Sequence, residues 1–242
     1  KVVKIVKRLK PQSFETKSTM RVLRSTGSAL NVASTVVESF GGVGRITAII
    51  GGPCTFGAGK IVSEQLTENY RDHTDLESNT DKIEAFKKSQ KHYDDVLERL
   101  IKVGVTFDLF AFSLDQFGCA EMRNLVEKSG GLVVNQEQFA GDVFEKSFDK
   151  YMTQLFGDSA VFGANLKILT SKDFFVSGAL GPLKLTQKAS GIPSDADNLV
   201  GETGGNDFYL GGCSSNSTYL FFFGHKTAEI SSKNKAAHFQ YQ

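Results

Sequence analysis

Several residue types are scarce in this sequence, and their scarcity disfavours whole classes of protein. Tryptophan is absent, and there are only three cysteines, Cys54, Cys119 and Cys213. An odd number of widely spaced cysteines suits a reducing compartment and does not match the paired spacing of a zinc site. The chain also lacks a run of the roughly 20 apolar residues that a membrane-spanning helix needs. A disulfide-stapled domain and an integral membrane protein are therefore both disfavoured.

An excess of charge of either sign is missing as well. Lysine and arginine number 28 against 27 aspartates and glutamates, which gives a formal net charge of +1. A protein without a global basic field is a poor candidate for nucleic-acid binding. The one strongly basic segment, KVVKIVKRLK at residues 1–10, predicts a solvated amphipathic element, with contact to acidic lipid as the alternative. A hydrophobic content of 40% is typical of a globular protein with a real core.

Helical and strand patterns alternate over the first part of the chain. Apolar residues recur at helical spacing from Ala29 to Phe40, and Gly41-Gly42 then stops the helix. RITAII (45–50) is a continuously apolar run, which is typical of a strand covered on both faces, and VTFDLFAF (105–112) is predicted to be a second buried strand. Further predicted elements are a long helix ending at Gly104, a helix around 122–126, a short strand at 132–134 and a helix over 144–155. Helices between buried strands indicate a mostly parallel sheet flanked by helices.

After Gly157 the sequence changes to short segments between Gly, Ser, Asn and Pro clusters. The strand candidates are ANLKIL (164–169), DFFVSGALGP (173–182), NDFYLGG (206–212) and TYLFFFGHK (218–226). Alternating apolar and polar side chains, as in ANLKIL, are typical of half-exposed strands. We therefore predict an antiparallel β-sandwich, or part of one. The predicted domains are residues 1–157 for the α/β part and residues 158–242 for the partial sandwich.

A glycine-rich loop, GGPCTFGAGK at residues 51–60, follows the first predicted strand. Its position suggests a phosphate-binding loop, whose pattern is G-x-x-x-x-G-K-[ST]. Alignment on Gly59-Lys60 places Cys54 where the first glycine belongs and Ile61 where the magnesium-binding hydroxyl belongs. The dinucleotide pattern G-x-G-x-x-G fails too, because Val62 stands at its third glycine position. We therefore expect a strand-to-helix connection that binds no nucleotide.

Polar residues that could ligate a metal occur in two places. His73 and Asp75 lie in RDHTDLE, and His92 lies near Asp94 and Asp95. Neither group contains a cysteine or a second close histidine that would complete a ligand set. We therefore expect a solvated loop at RDHTDLE and no metal at either place. In the second domain, His225 and His238 are expected only to pack or to face water.

Ser113 and Asp115 follow the second predicted strand, at the edge where parallel sheets bind ligands. A metal-dependent adhesion site would need an Asp-x-Ser-x-Ser cluster, which the sequence lacks. Asp115 is instead predicted to cap a helix that begins near Phe117. No arrangement of Ser, His and Asp or of Cys and His suggests nucleophilic catalysis. The residues alone favour a binding or structural module over an enzyme, and we nominate no catalytic, cofactor-binding or metal-binding residue.

Eight segments, taken in order, carry a family resemblance. They are RVLRSTGSALNVAS, GRITAIIGGP, IVSEQL, RDHTDLE, VTFDLFAFSLDQFGCAEMRNLVEKSGG, VFEKSFDKYM, LKILTSKDFFVSGALG and HFQYQ. Their order and spacing resemble the GTPase-activating inner-coat subunit of the COPII vesicle coat (the Sec twenty-three family), collinearly from about Met20 to Gln242. The resemblance implies that GGPCTFGAGK is the GGP loop at the end of a trunk-domain strand, where the family holds no nucleotide.

The resemblance also implies a fold, partners and a location. Residues 1–157 would form the carboxyl part of a von Willebrand A-like trunk, and residues 158–242 part of the β-sandwich. The implied partners are the cargo-adaptor subunit, a Sar-type small GTPase, the outer-coat subunits and the acidic surface of the ER membrane. The protein would be cytoplasmic and recruited peripherally to ER exit sites and COPII vesicles. Nucleic acid is not among the implied partners.

Other parts of the family's architecture have no counterpart in this sequence. The zinc ribbon, the opening trunk strands, the helical domain and the gelsolin-like domain are missing, so we expect an internal fragment of a longer polypeptide without a cofactor of its own. The family's arginine finger, which stabilises transition-state charge in the GTPase, belongs to the missing part. Arg21, Arg24, Arg45 and Arg71 are therefore not nominated as catalytic.

Three alternatives stay open. The sister cargo adaptor of the same coat shares the trunk and the sandwich, although RSTGSALNVAS and TSKDFFVSGALG favour the activating subunit. A metal-dependent adhesion A domain is disfavoured by the missing Asp-Ser cluster. An NTPase is disfavoured by the failed loop pattern.

Overall fold

The computed structural model describes residues 4, 7–10, 15–77, 81–139, 141–155, 160–188, 200–226 and 237–242. In its first part, helices and strands alternate. The elements are α1 (Thr26–Phe40), β1 (Gly44–Ile50), α2 (His73–Glu77), α3 (Asp81–Val103), β2 (Val105–Phe112), α4 (Cys119–Lys128), β3 (Val133–Gln136) and α5 (Asp142–Leu155). The strands pair in parallel in the order β1-β2-β3, with Gly44 opposite Val105 and Leu109 opposite Val133. The predicted parallel sheet is confirmed.

Two helices end at the predicted glycines. Gly41 follows α1 with a left-handed φ of 62°, and its N–H donates to the carbonyl oxygens of Val37 and Glu38. Gly104 follows α3 with a φ of 73°. A residue without a Cβ adopts this conformation at low cost, so each glycine both stops a helix and turns the chain into the next strand.

Helices cover both faces of β2, which is buried along its whole length. One face packs on α1, α3 and α4 through a core that includes Leu30, Tyr93, Leu97, Leu100, Phe107, Leu109, Met122 and Leu125. The other face packs on α5 through Phe110, Phe112 and Tyr151. The prediction that RITAII is also covered on both faces is wrong, because Ile49 is 50% exposed. Along that face of β1, Arg45 is partly buried against Asp108, whereas Thr47 and Ile49 are exposed.

The second part of the chain forms two facing sheets. Its strands are β4 (Ala160–Thr170), β5 (Phe174–Leu180), β6 (Lys184–Gln187), β7 (Val200–Gly201), β8 (Asp207–Ser214), β9 (Leu220–His225) and β10 (Phe239–Tyr241). They are ordered β10-β4-β8-β6 in one sheet and β7-β5-β9 in the other. All pairs are antiparallel except β5 with β7. Ile168, Val176, Ala179, Phe208 and Leu210 fill the space between them, as in a sandwich.

Four predicted strands correspond to β4, β5, β8 and β9, whereas β6 and β7 were not predicted. The expected domain boundary at Gly157 lies outside the described residues, as does half of the basic segment 1–10. In the described part of the chain, no helix is both long and apolar enough to cross a membrane.

Candidate functional site

The GGP loop, residues 51–60, closes on its own chain. The N–H groups of Thr55 and Phe56 donate to the Arg24 carbonyl oxygen at 2.9 and 3.1 Å, and the Ile61 N–H donates to the Cys54 carbonyl oxygen at 2.8 Å. The Thr55 hydroxyl donates to a carbonyl at 2.9 Å and accepts the Arg24 N–H at 2.9 Å. A phosphate-binding loop needs free N–H groups that point at the ligand. Here the N–H groups of Thr55, Phe56 and Ile61 are already hydrogen-bonded within the chain.

The loop lies between α1 and α3, where its glycines permit close contact. The Tyr93 hydroxyl donates to the Gly59 carbonyl oxygen at 2.9 Å. A Cβ on Gly59 would lie 2.8 Å from that hydroxyl, and a Cβ on Gly27 would lie 2.1 Å from the Ala58 carbonyl oxygen. Lys60 points outward and is exposed. The loop is a strand-to-helix connection that packs against both α1 and α3.

The carboxyl end of the sheet forms an open cleft of about 530 Å³. Ser113 and Asp115 both line it, and the Asp115 N–H donates to the Ser113 hydroxyl at 3.2 Å. The prediction that Asp115 caps a helix is wrong. α4 begins at Cys119 after Gly118, whose φ is 93°, and no side chain caps it. The turn before α4 places Asp115 too early in the chain to reach the helix N-terminus.

A buried ion pair in this cleft was not predicted. Arg71 and Glu121 are hydrogen-bonded, and their side chains are only 9% and 6% exposed. The Arg71 guanidinium also donates to the Ile61 carbonyl oxygen and lies 5.9 Å from the ring centroid of Phe86. The segment RDHTDLE, residues 71–77, was expected to be a solvated loop because nearly all its residues are polar. It instead carries the short helix α2 and inserts one arginine into the fold.

The histidines and carboxylates considered as metal ligands have separate partners. His73 is exposed and pairs with Glu77 at 3.5 Å, whereas Asp75 accepts Lys82 at 2.7 Å. The His92 Nε2 atom lies 3.3 Å from the Gly27 carbonyl oxygen. Asp94 accepts Asn124 at 3.0 Å, and the ring of His225 packs 5.0 Å from that of Phe174. Within the described ranges, no group of three or more His, Cys, Asp or Glu residues could hold a metal.

A carboxylate on the central strand is buried and hydrogen-bonded by several groups. Asp108 is fully buried and accepts hydrogen bonds from Arg45 at 2.8 Å, from the Tyr151 hydroxyl at 2.7 Å and from the Leu132 N–H at 2.9 Å. Tyr151 also lies 2.5 Å from the Thr47 hydroxyl. Burial raises the pKa of Asp108, and the Arg45 charge lowers it part of the way back. The arrangement joins β1, β2 and α5.

A comparison with known protein families assigns this fold to a family that includes both Sec23 and Sec24. The family model of the Sec23/Sec24 trunk domain matches residues 1–155. The chain belongs to this trunk-domain family. The expected family resemblance is thereby confirmed, and the parallel sheet with its flanking helices is the part of the molecule that the family model covers.

Two relatives of this trunk-domain protein extend beyond the matched segment. Protein transport protein SEC23 F of Arabidopsis thaliana is 38% identical over 208 residues, which are 84% of this chain and 26% of that protein. The crystal structure of the human COPII-coat protein Sec24c covers 91% of this chain and 26% of that chain, with a TM-score of 0.63 and 15% identity. The second likeness shows the fold alone. The chain thus spans about a quarter of the length of either relative.

Three arginines of this trunk-domain protein, Arg21, Arg45 and Arg71, are bonded within the fold. Arg21 donates to the carbonyl oxygens of Ser63 at 3.2 Å, Gln65 at 2.5 Å and Glu68 at 2.9 Å. Arg45 and Arg71 form the ion pairs described above. The Arg24 guanidinium lies against Gly52, where a Cβ would come within 2.9 Å of its Cζ atom.

The three cysteines of the trunk-domain protein are free thiols. Cys54 is buried and Cys119 is exposed at the first position of α4. Burial raises the pKa of Cys119, and the charges of Glu121 and Glu127 add to the effect. Because the thiolate is the reactive form, the exposed thiol is a poor nucleophile.

Proposed function

We propose that this chain is the trunk-and-sandwich scaffold of a GTPase-activating inner-coat subunit of the COPII coat. The observation that carries the proposal is the 38% identity to SEC23 F over 84% of the chain. The likeness runs through both halves, because it extends past the residues that the trunk-domain model matches. The whole protein would act in vesicle transport from the ER to the Golgi as a regulator and not as an enzyme itself.

The proposed partners are those of an inner coat. The trunk would pair with the cargo-adaptor subunit, and a wider concave surface would face the ER membrane and a Sar-type small GTPase. Outer-coat subunits would bind on the far side. The protein would be cytoplasmic and bind peripherally at ER exit sites. Its zinc would lie in a zinc ribbon outside this chain.

This chain would position the arginine finger relative to the GTPase and would not contribute a catalytic residue itself. The GTPase is activated by an arginine finger, which we place outside these 242 residues. The internal bonds of Arg21, Arg45 and Arg71 support this division of roles, because moving any of them would break contacts within the fold. The trunk and the sandwich would hold the distant arginine at the correct distance from the GTPase.

Single-turnover GTP hydrolysis by a Sar-type GTPase on liposomes tests the proposal. The full-length protein and this chain are compared at concentrations that saturate GTPase binding. An arginine finger contributes about 10³-fold or more to the rate, so the full-length protein should accelerate hydrolysis strongly and this chain should not. Binding of this chain to the cargo-adaptor subunit, measured separately, shows that the trunk is folded in the inactive sample.

Two results would overturn the assignment in different ways. Equal activation by both proteins would place the catalytic arginine within these residues. No activation by the full-length protein, with GTPase binding intact, would favour the sister cargo adaptor, whose fold is represented by the match to Sec24c.

A further inference from the structure

The two halves of the molecule touch through backbone, and they share a hydrogen bond at one of these contacts. The turn Ser129-Gly130 after α4 meets Gly211-Gly212 on β8, and these four residues are called the glycine seam. The Gly212 N–H donates to the Ser129 carbonyl oxygen at 3.2 Å. A Cβ on Gly211 would lie 1.9 Å from that carbonyl oxygen, and a Cβ on Gly130 would lie 2.5 Å from the Gly212 nitrogen. Any side chain at either position would force the halves apart.

Both central glycines of the seam also need their conformation. Gly130 has a φ of 76° and Gly211 a φ of 64°, which is the left-handed region that other residues rarely adopt. Gly211 coincides with the irregular register of β4 with β8, where pairing shifts around Ala164. A shift of this kind bends a strand toward a neighbouring element. The bend brings β8 onto the trunk.

The seam is anchored in the centre of the trunk. Ser129 is fully buried, and its hydroxyl accepts the N–H of Phe107 on β2 at 3.0 Å. The adjoining Gly131 lies so close to β2 that a Cβ there would be 1.8 Å from the Phe107 carbonyl oxygen. The turn is therefore fixed to the most buried strand of the molecule and cannot shift as a free loop.

Contacts beside the seam prevent rotation about it. The Arg45 guanidinium, held by Asp108, lies 5.5 Å from the ring centroid of Phe162 on β4. Lys128 of α4 pairs with Glu202 of the sandwich at 2.7 Å. On the other flank, a Cβ on Gly104 would lie 3.4 Å from the Cα of Gly163. Three contacts that do not lie on one element fix an orientation and not only a distance.

We infer that the glycine seam makes the trunk and the sandwich one rigid body, and that Gly130 and Gly211 are positioning residues for GTPase activation. The inference rests on the proposed function, since only an activator needs this orientation for its rate. Binding surfaces on the trunk stay intact when the seam opens. Loosening the seam should therefore lower the maximal rate of hydrolysis and leave the concentration for half-maximal activation unchanged.

Gly211→Ala in the full-length protein is the test, and Gly204→Ala is its control. Gly204 has a φ of 93°, but no atom lies within 4 Å of a Cβ built there. Both substitutions strain the backbone, and only Gly211→Ala separates the halves. We expect hydrogen exchange at the amides of Phe107 and Gly212 to rise about tenfold or more in Gly211→Ala only. The maximal rate of activated hydrolysis should fall by roughly 10- to 100-fold.

A milder variant keeps the test decisive if Gly211→Ala does not fold. Ser129→Ala removes only the hydroxyl that accepts the Phe107 N–H, so it should change both measurements in the same direction and by less. Exchange and rate equal to those of Gly204→Ala would overturn the inference. Faster exchange with an unchanged maximal rate would overturn the positioning role. If the wild-type protein activates no GTPase, the proposed function fails, while hydrogen exchange still decides whether the halves form one body.

Discussion

Asp108 is the residue whose surroundings differ most from those of an ordinary carboxylate. It is fully buried on the central strand, where it accepts hydrogen bonds from Arg45, Tyr151 and Leu132. A buried charge is tolerated when it is paired and hydrogen-bonded. Removing either member of such a pair is costly, because the other charge is left without a partner.

Asp108→Asn should lower the free energy of unfolding by about 3 kcal/mol, because the Arg45 guanidinium loses its carboxylate. Chemical denaturation followed by circular dichroism measures the change. The control is Asp115→Asn, which alters an exposed carboxylate and should cost less than about 0.5 kcal/mol. Equal losses in the two variants would mean that the Arg45–Asp108 pair contributes nothing beyond a surface contact.

The same carboxylate should make stability depend on pH. Burial raises the pKa of Asp108 in the folded state above that of an unfolded aspartate. The folded state then binds the proton more tightly, so the stabilisation is complete below the unfolded pKa of about 3.9 and is lost as the pH rises through the raised pKa. The stability advantage of wild type over Asp108→Asn should therefore shrink from about pH 4 toward neutrality. A constant advantage across this range would contradict the raised pKa.

Helix α4 takes part in two ion pairs that allow a second comparison. Its Glu121 forms a buried pair with Arg71, and its Arg123 forms an exposed pair with Glu127. Arg71→Ala should cost about 3 kcal/mol, because Glu121 on α4 would be left buried without its partner. Arg123 pairs with Glu127 on the same helix, but its side chain is 70% exposed. Arg123→Ala should therefore cost less than about 1 kcal/mol. Thermal and urea unfolding of the two variants would show whether burial separates them, and comparable losses would refute this view of Arg71.

At the scale of elements, α1 carries apolar residues on two faces. Its inner face packs on the core through Leu30 and Val37. Its outer face exposes Val32 by 65%, Val36 by 47% and Phe40 by 83%. This second stripe is exposed in the described part of the chain. Exposed apolar stripes of this kind mark surfaces for contact with other protein.

Phe40→Ser should reduce self-association of the isolated chain without lowering its stability by more than about 0.5 kcal/mol. The side chain is 83% exposed, so little packing is lost. Leu30→Ala on the inner face should cost about 3 kcal/mol by leaving a cavity. Light scattering measures the self-association, and denaturant titration measures the free energy of unfolding. A large loss of stability in Phe40→Ser would show that this face is packed in solution.

Elements with strong local signals were predictable from sequence, and contacts set by distant residues were not. The eight-residue run of β2, in which six residues are apolar, and the stop glycine after α1 act locally, and both predictions are confirmed. Arg71 was missed because its burial depends on Glu121, fifty residues away. Asp115 was assigned as a cap because its spacing suits one, but the turn at Gly118 starts α4 later. The glycine seam has no local signal at all, since glycine pairs are also common in exposed turns.

At the scale of the whole molecule, the described chain has two packed halves, and within it no group of His, Cys, Asp or Glu residues could hold a metal. Its glycine loop is closed by internal hydrogen bonds, and its candidate metal ligands have separate partners. The chain represents about a quarter of the length of SEC23 F.

Neither GTP with magnesium nor removal of divalent metals should change the melting temperature of this chain. A ligand at 100 times its Kd stabilises a protein by about 2.7 kcal/mol, which would raise the melting temperature by roughly 5–11 °C for a chain of this size. Differential scanning calorimetry with EDTA, magnesium and GTP resolves a shift of that size. A magnesium-dependent shift abolished by Asp115→Asn would indicate an adhesion-type metal site at the sheet edge. A GTP-dependent shift abolished by Lys60→Ala would indicate that the glycine loop opens to bind phosphate.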